Sequence, residues 1–331
     1  MHILVTGAAG FIGSAVAAAL IRAGHTVVGI DTYTPYYDPT LKRKRVAALL
    51  PATVIHECSI TDSEGMYALC MAERFDVVCH LAAQAGVRYS VSHPETYIET
   101  NIVGTQTILS AMQKAGITKL VQASTSSVYG VDTPQPFSES APADRPVSVY
   151  AATKRAAELI AHAAHATWGL SVTNVRFFTV YGPWSRPDMA LIQFAEALST
   201  KQSITLFNHG NLIRDFTHID DIVRGFVAAV DRVGGYHTYN LGSGRPLSVG
   251  TYLAALANAV GEVPNITYAP MQVGDVYETA ADITKAKQEL DFNPTVSLEE
   301  GIASFVAWYR PYRAESPLRE TVDSVALRSG S

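Results

Sequence analysis

The sequence predicts an α/β fold: a doubly wound parallel sheet followed by a smaller α/β C-terminal lobe. Three observations predict it. Short runs rich in β-branched residues alternate with helical patterns through the first half of the chain. These runs are apolar throughout rather than alternating, as strands covered on both faces must be. A glycine-rich turn, T-G-A-A-G-F-I-G over residues 6–13, joins the first such run to the first helical one, the setting of a Rossmann-type dinucleotide site.

The elements follow in order. His2–Thr6 and Thr26–Asp31 read as strands flanking a helix at residues 11–23, which Gly24 stops. Further strands are expected at residues 53–57, 75–79, 119–123 and 170–177, with helices at 94–114 and Val149–Trp168 between them. Parallel neighbours joined this way imply right-handed crossovers. The four prolines within residues 133–146 mark a loop. The second half mixes short strands (204–207, 215–217, 239–241) with helices at 189–199, Ile219–Asp231, Val249–Val260 and 298–309. Residues 1–180 are therefore read as a cofactor domain, to which segments near 212–245 return. Residues 181–312 are read as a substrate lobe, and 313–331 as a polar, frayed tail.

Composition narrows the function. The 331 residues are 48% apolar and 17% charged, enough for one large or two joined domains. No apolar run approaches the ~18 residues of a membrane span. A net charge of −5 argues against a general nucleic-acid binder. Cys58, Cys70 and Cys79 form neither a disulfide framework nor a C-x-x-C pair, and the histidines lack metal-ligand spacing. No metal site is expected. With no signal-peptide pattern at the N-terminus, a cytoplasmic location is the default expectation.

The glycine turn carries the first chemistry. Gly7 permits a tight turn, Gly10 lets backbone approach a pyrophosphate, and Gly13 allows close helix–strand packing. Phe11 and Ile12 complete the turn, and the helix N-terminus offers unpaired N–H groups to phosphate. Asp31 closes the second strand 18 residues beyond Gly13. A carboxylate there accepts from a ribose 2′-hydroxyl and repels a 2′-phosphate, which favours NAD over NADP.

The second constellation is Y-A-A-T-K, in which Tyr150 and Lys154 share one helix face. A phenol titrates near 10. To act as a base its pKa must fall to about 7, roughly 4 kcal/mol of differential stabilisation. A lysine ammonium and an oxidised nicotinamide, both positive, can supply it. Upstream, A-S-T-S-S-V-Y-G follows a strand and sets four hydroxyls in a row, Ser124 to Ser127. Thr125 is placed to share a hydrogen bond with Tyr150 and a substrate hydroxyl.

These motifs, with L-A-A-Q-A-G-V-R-Y-S (81–90), R-F-F-T-V-Y-G-P-W-S-R-P-D-M-A (176–190) and R-D-F-T-H-I-D-D-I-V (214–223), resemble the extended short-chain dehydrogenase/reductase family. The resemblance spans about residues 2–310. It points to the NAD-dependent sugar-nucleotide epimerases and dehydratases, and within them to UDP-glucuronate 4-epimerases.

That resemblance implies an enzyme that holds NAD as transient hydride acceptor and passes through a 4-keto sugar. Tyr150 is then the base, Lys154 its electrostatic partner and ribose ligand, and Thr125 the catalytic hydroxyl. The dehydratases carry an acidic pair after the threonine, and the decarboxylases a glutamate at the position of Ser127. Here Ser126 and Ser127 stand instead. With Thr179 they form a neutral hydroxyl set that favours epimerisation over loss of CO₂. Arg214 and Arg186 are implied for the substrate pyrophosphate, with Arg88 as a third arginine. Phe207 is implied for the uracil ring and Asp275 for the uridine ribose, with Gln272 nearby.

On the cofactor side, Leu81, Ala82, Ala83, Gln84 and Asn101 are implied to line the NAD pocket. The family's adenine-side aspartate is replaced here by Ser59, followed by Ile60, and Asp62 is a helix cap. The helices at 94–114 and Val149–Trp168 resemble the family's homodimer surface, a four-helix bundle. Epimerisation of UDP-glucose, decarboxylation of UDP-glucuronate and a non-catalytic NAD-binding role are the alternatives.

Overall fold

The computed structural model describes residues 1–271 and 276–315. Six parallel strands form most of the central sheet: β1 (His2–Thr6), β2 (Thr26–Asp31), β3 (Ile55–Glu57), β4 (Val77–His80), β5 (Lys119–Thr125) and β6 (Ser171–Phe177). Outside it lie β7 (Thr179–Tyr181), β8 (Ser203–Phe207), β9 (Ile213–Arg214) and β10 (Phe216–His218). The seventh strand of the sheet is β11 (Tyr236–Leu241), so the chain does return to it. The spatial order is β11-β6-β5-β4-β1-β2-β3, with the reversal of direction at β1 and β4. Ligands bind beyond the strand ends at such a switch point. Three short strands remain: β12 (Leu247–Ser248) and β14 (Glu278–Thr279), which flank β9, and β13 (Asn265–Ala269), which pairs with β8.

Helices cover both faces, because adjacent strand residues point to opposite sides. Ile3 and Val5 join one apolar cluster and Leu4 the other. The first cluster packs beneath α1 (Phe11–Arg22), close to α2 (Pro39–Leu49). The second packs beneath α3 (Ser63–Glu73), whose N-cap is Asp62, accepting from Gly65 N–H at 3.0 Å.

The helix expected at 94–114 is present as one helical run over residues 94–115, with a π turn inside it and a separate short helix before it. The short helix is α4 (Tyr89–Ser92); the run comprises α5 (Pro94–Tyr97), the π turn over Ile98–Val103, and α6 (Gly104–Ala115). Pro94 starts a new turn, and the wide π turn carries Asn101 inward, where it is 1% exposed. Amphipathic spacing alone does not reveal such a turn. Then come α7 (Val149–Trp168), α8 (Ala190–Thr200), α9 (Ile219–Asp231), α10 (Val249–Val260), α11 (Thr284–Leu290) and α12 (Leu298–Glu315). A third apolar cluster joins α8, α10 and α12.

α12 continues through Pro311, so residues 313–315 are helical where a tail is expected. Tyr312 stacks on Trp308 at 4.9 Å and Arg313 binds Glu196 at 3.0 Å, contacts that hold the turn beyond the proline. The rest of the expected tail lies outside the described residues. Among the described residues, no helix is long and apolar enough to cross a membrane.

Candidate active site

The glycine turn folds as its spacing requires. Gly7 has a φ of +70°, and a Cβ there would meet the Ala82 backbone at 2.8 Å. A Cβ at Gly13 would collide with the Gly7 carbonyl oxygen. Gly10 is the N-cap of α1 and leaves that helix end without a side-chain cap, as an anion site requires. Gly7, Gly10, Phe11, Ile12 and Gly13 line a cavity of about 320 Å³.

Asp31 lies in the same wall and is 7% exposed. Its carboxylate accepts from Ala9 N–H (3.1 Å), Tyr33 N–H (2.8 Å) and the Lys42 ammonium (3.2 Å). Sequence reasoning missed Lys42 and its neighbour Arg45. The signal was present: Asp38 caps a helix that opens on Pro39 and carries a basic run. Arg45 is fully buried. It donates to the carbonyls of Ala9, Trp184 and Ser185 and to the Tyr37 hydroxyl. It therefore ties the glycine turn to the loop that carries Arg186.

Ser59, Ile60, Leu81, Ala82, Ala83 and Gln84 complete this cavity. The Ser59 hydroxyl bonds Thr61 at 2.7 Å. Asn101 does not line the wall; it holds it. Its amide accepts from Gln84 N–H (2.8 Å) and donates to Gln84 O (3.0 Å) and to the Thr153 hydroxyl (3.0 Å). Beneath it, Thr105 donates to Asn101 O at 2.6 Å. His80 Nε2 must therefore donate to Thr105, and Nδ1 accept from Thr6. Burial first, then the Lys154 charge, lowers the His80 pKa to about 3, so the ring is neutral.

Tyr150 and Lys154 stand in the same cavity, on the first turns of α7. Ser148 caps that helix and accepts from Ala151 N–H at 3.1 Å. Burial pushes the Tyr150 hydroxyl up; a hydrogen bond with Thr125 and the Arg186 charge oppose this without cancelling it. Burial lowers Lys154 to about 8 against an opposing pull from Glu158. Thr125 accepts from Ser127 N–H and bonds its hydroxyl, both at 3.2 Å.

A second cavity has a volume of about 720 Å³. Ser126, Ser127, Thr179, Phe207, Arg214 and Arg88 line it. Thr125 pairs with Phe177 in the β5–β6 register, which brings Thr179 round to the serines. The Arg88 guanidinium lies 5.5 Å from the Phe207 ring centroid, a cation–π distance. Arg214 donates to Ile213 O and Tyr277 O. Arg186 stands apart from this group, in the cofactor cavity wall. It forms a two-bond pair with Asp188, at 2.9 Å each, and Asp188 also accepts from the Tyr36 hydroxyl at 3.3 Å. Asp188 and Tyr36 were missed. Asp275 and Gln272 lie outside the described residues. Among the described residues, no cluster of side chains suits a metal ion.

A glycine turn at a sheet switch point and a Tyr–Lys pair beside a hydroxyl-lined cavity define a dinucleotide-dependent enzyme. Residues 3–242 match the NAD dependent epimerase/dehydratase family, and the chain belongs to it. Its cofactor is NAD. UDP-glucuronate 4-epimerase 4 of Arabidopsis thaliana is 44% identical over 94% of this chain and 75% of its own. The structure of UDP-glucuronic acid 4-epimerase from Bacillus cereus, in complex with UDP-glucuronic acid and NAD, superposes with a TM-score of 0.88. It is 34% identical, covering 94% of this chain and all of that one. UDP-glucose 4-epimerase from Thermotoga maritima, with UDP-glucose, gives 0.87 at 33% identity, covering 94% and 99%.

Proposed function

We propose that the protein is an isomerase, a UDP-glucuronate 4-epimerase that interconverts UDP-glucuronate and UDP-galacturonate. One observation carries the choice of substrate. The larger cavity presents the neutral hydroxyls Ser126, Ser127 and Thr179, and Thr125 links Ser127 to Tyr150 by hydrogen bonds. Donor hydroxyls suit a sugar carboxylate, and the absence of an acid at the position of Ser127 favours epimerisation over loss of CO₂.

The described residues fit NAD. Gly7, Gly10 and Gly13 make room for its pyrophosphate at the α1 terminus. Asp31, with Lys42, would hold a ribose. Ser59 and Ile60 would flank the base, and Lys154 would hold the second ribose. Bound NAD supplies the hydride acceptor and, while oxidised, a positive ring charge that favours the Tyr150 phenolate. Tyr150 then takes the proton from the sugar 4-hydroxyl and later returns it. Thr125 bonds both Tyr150, of the cofactor cavity, and Ser127, of the second cavity, and so links the two by hydrogen bonds. Ser126, Ser127 and Thr179 hold the carboxylate so that the C–COO bond is not aligned with the 4-keto group, which disfavours loss of CO₂. Arg214 and Arg88 face the diphosphate, with Arg186 stabilising charge at the Tyr150 end. Phe207 offers a face to the base.

Residues 1–180 with 212–245 are the cofactor part of this arrangement and 181–312 the substrate part. The exposed side chains of Ile98, Val103 and Leu159 support a homodimer through the 94–114 and α7 faces. Incubation with UDP-glucuronate, without added reductant, tests the reading. UDP-galacturonate is the expected product. UDP-pentose with CO₂, or turnover of UDP-glucose alone, contradicts it.

A further inference from the structure

The helix that carries Tyr150 and Lys154 is fastened at one point to the strands beneath it. Glu158 lies one turn past Lys154 and is 0% exposed. Its carboxylate does not turn to Lys154. One oxygen accepts from the Ser124 hydroxyl (2.5 Å) and Arg176 Nε (2.9 Å). The other accepts from Arg176 Nη2 (2.8 Å) and Arg155 Nη1 (2.7 Å). Ser124 and Arg176 are register partners on β5 and β6, and Ser124 immediately precedes Thr125. The same guanidinium lies 4.7 Å from the Tyr129 ring, at the end of the turn that holds Ser126 and Ser127. One buried carboxylate thus joins the Tyr–Lys helix, the Thr125 strand and the hydroxyl turn.

Charge sharpens its role. Arg155, Arg176 and Glu158 sum to one positive charge near Lys154; without Glu158 they would sum to two. The other groups turned toward the pair are few. β4 contributes His80, which is neutral, and α5 contributes Tyr97 against Tyr150. The 182–189 loop contributes Arg186, already paired with Asp188. Among the described residues, β5 contributes the uncharged Thr125, bonded to Tyr150, and Ser124, bonded to Glu158. Glu158 is therefore the anion on which the charge of Lys154 depends.

We propose that Glu158 is a positioning residue of the Tyr150–Lys154 pair. Its carboxylate pins the helix in register with Thr125, and its charge offsets the two arginines so that Lys154 stays an ammonium. Through Lys154, it governs how readily Tyr150 ionises. The catalytic consequence rests on the epimerase reading; the ionisation itself does not.

The test titrates Tyr150 in the NAD-loaded protein. Phenolate absorbance is followed against pH, taking each protein minus its Tyr150→Phe counterpart. In Glu158→Gln the Tyr150 titration moves up by about one pH unit, the size expected for a nearby charge. The same variant narrows the pH profile of kcat and leaves KM within about twofold. Glu158→Asp, which keeps the charge, restores the titration. Arg155→Ala removes a cation from a partly exposed position, which folding tolerates, and moves the titration down. Should Glu158→Gln not fold, the direction of the Arg155→Ala shift decides. Equal activity losses in Gln and Asp with unmoved titrations overturn the proposal, as does an unmoved or upward shift in Arg155→Ala. Absence of epimerisation by the wild type overturns the functional reading and leaves the titration able to decide on Glu158.

Discussion

Tyr150 begins as a poor base. Burial holds its proton on, and Thr125 and Arg186 recover only part of the difference. The remainder must come from Lys154 and the oxidised cofactor, so Tyr150→Phe should retain NAD and lose about 10²–10⁴-fold in turnover. Bound NAD is read from absorbance after denaturation and turnover from product formation. Lys154 contributes only while charged, and burial lowers it to about 8. Activity should therefore fall as pH rises through about 8, a loss seen in kcat with NAD kept saturating. The hydroxyl set makes a separate prediction. Ser127→Ala or Thr179→Val should raise the fraction of turnovers that release CO₂, measured by trapping the gas from carboxyl-labelled substrate. A fraction equal to that of the wild type counts against the role given to these hydroxyls.

Between elements, buried polar groups decide more than apolar contact. Arg45 links α2 to the glycine turn and the Trp184–Ser185 backbone through four donor contacts, and a fifth goes to the Tyr37 hydroxyl. Arg45→Met leaves carbonyls unsatisfied and should cost about 1–3 kcal/mol, measured by denaturant unfolding, with weaker NAD retention. Tyr252 is the opposite case. It stacks on Phe216 at 4.0 Å, and its buried hydroxyl has no hydrogen-bond partner among the described residues. Tyr252→Phe should leave stability unchanged or raised, because it removes an unsatisfied group.

The local features that the sequence does not reveal share this character. The π turn at Ile98–Val103 exists to aim Asn101 at the Gln84 backbone, a tertiary demand with no periodic signature. α12 runs through Pro311 because Trp308, Tyr312 and Arg313 have partners on other elements. By contrast α7, α9 and α10 carry clear amphipathic patterns and fall where periodicity puts them.

For the molecule as a whole, the cofactor half was the most legible. Glycine spacing, Asp31 and the strand rhythm are local, and each constrains its neighbours directly. The hydroxyl-lined cavity draws on the turn after β5 and on β7, β8 and β9, so only motifs longer than one element foretold it. Lys42, Arg45, Glu158 and Asp188 stayed hidden because a buried charge looks like a surface charge until its partner is known.

Global stability should follow the same buried charges. Although burial opposes it, Arg176 and Arg186 hold Glu158 and Asp188 below the usual carboxylate range. Their stabilisation is complete above a pH of about 4 and is lost as pH falls below it. Thermal unfolding midpoints should decline over that interval, and stripping NAD should lower the midpoint at every pH.

The most direct measurement is the fate of UDP-glucuronate on the purified protein, with sugar C4 and released CO₂ followed together by NMR. The hydroxyl-lined site should give UDP-galacturonate, approached from either sugar, without CO₂. A UDP-pentose with stoichiometric CO₂, or no reaction at C4 from a protein that carries NAD, would contradict it.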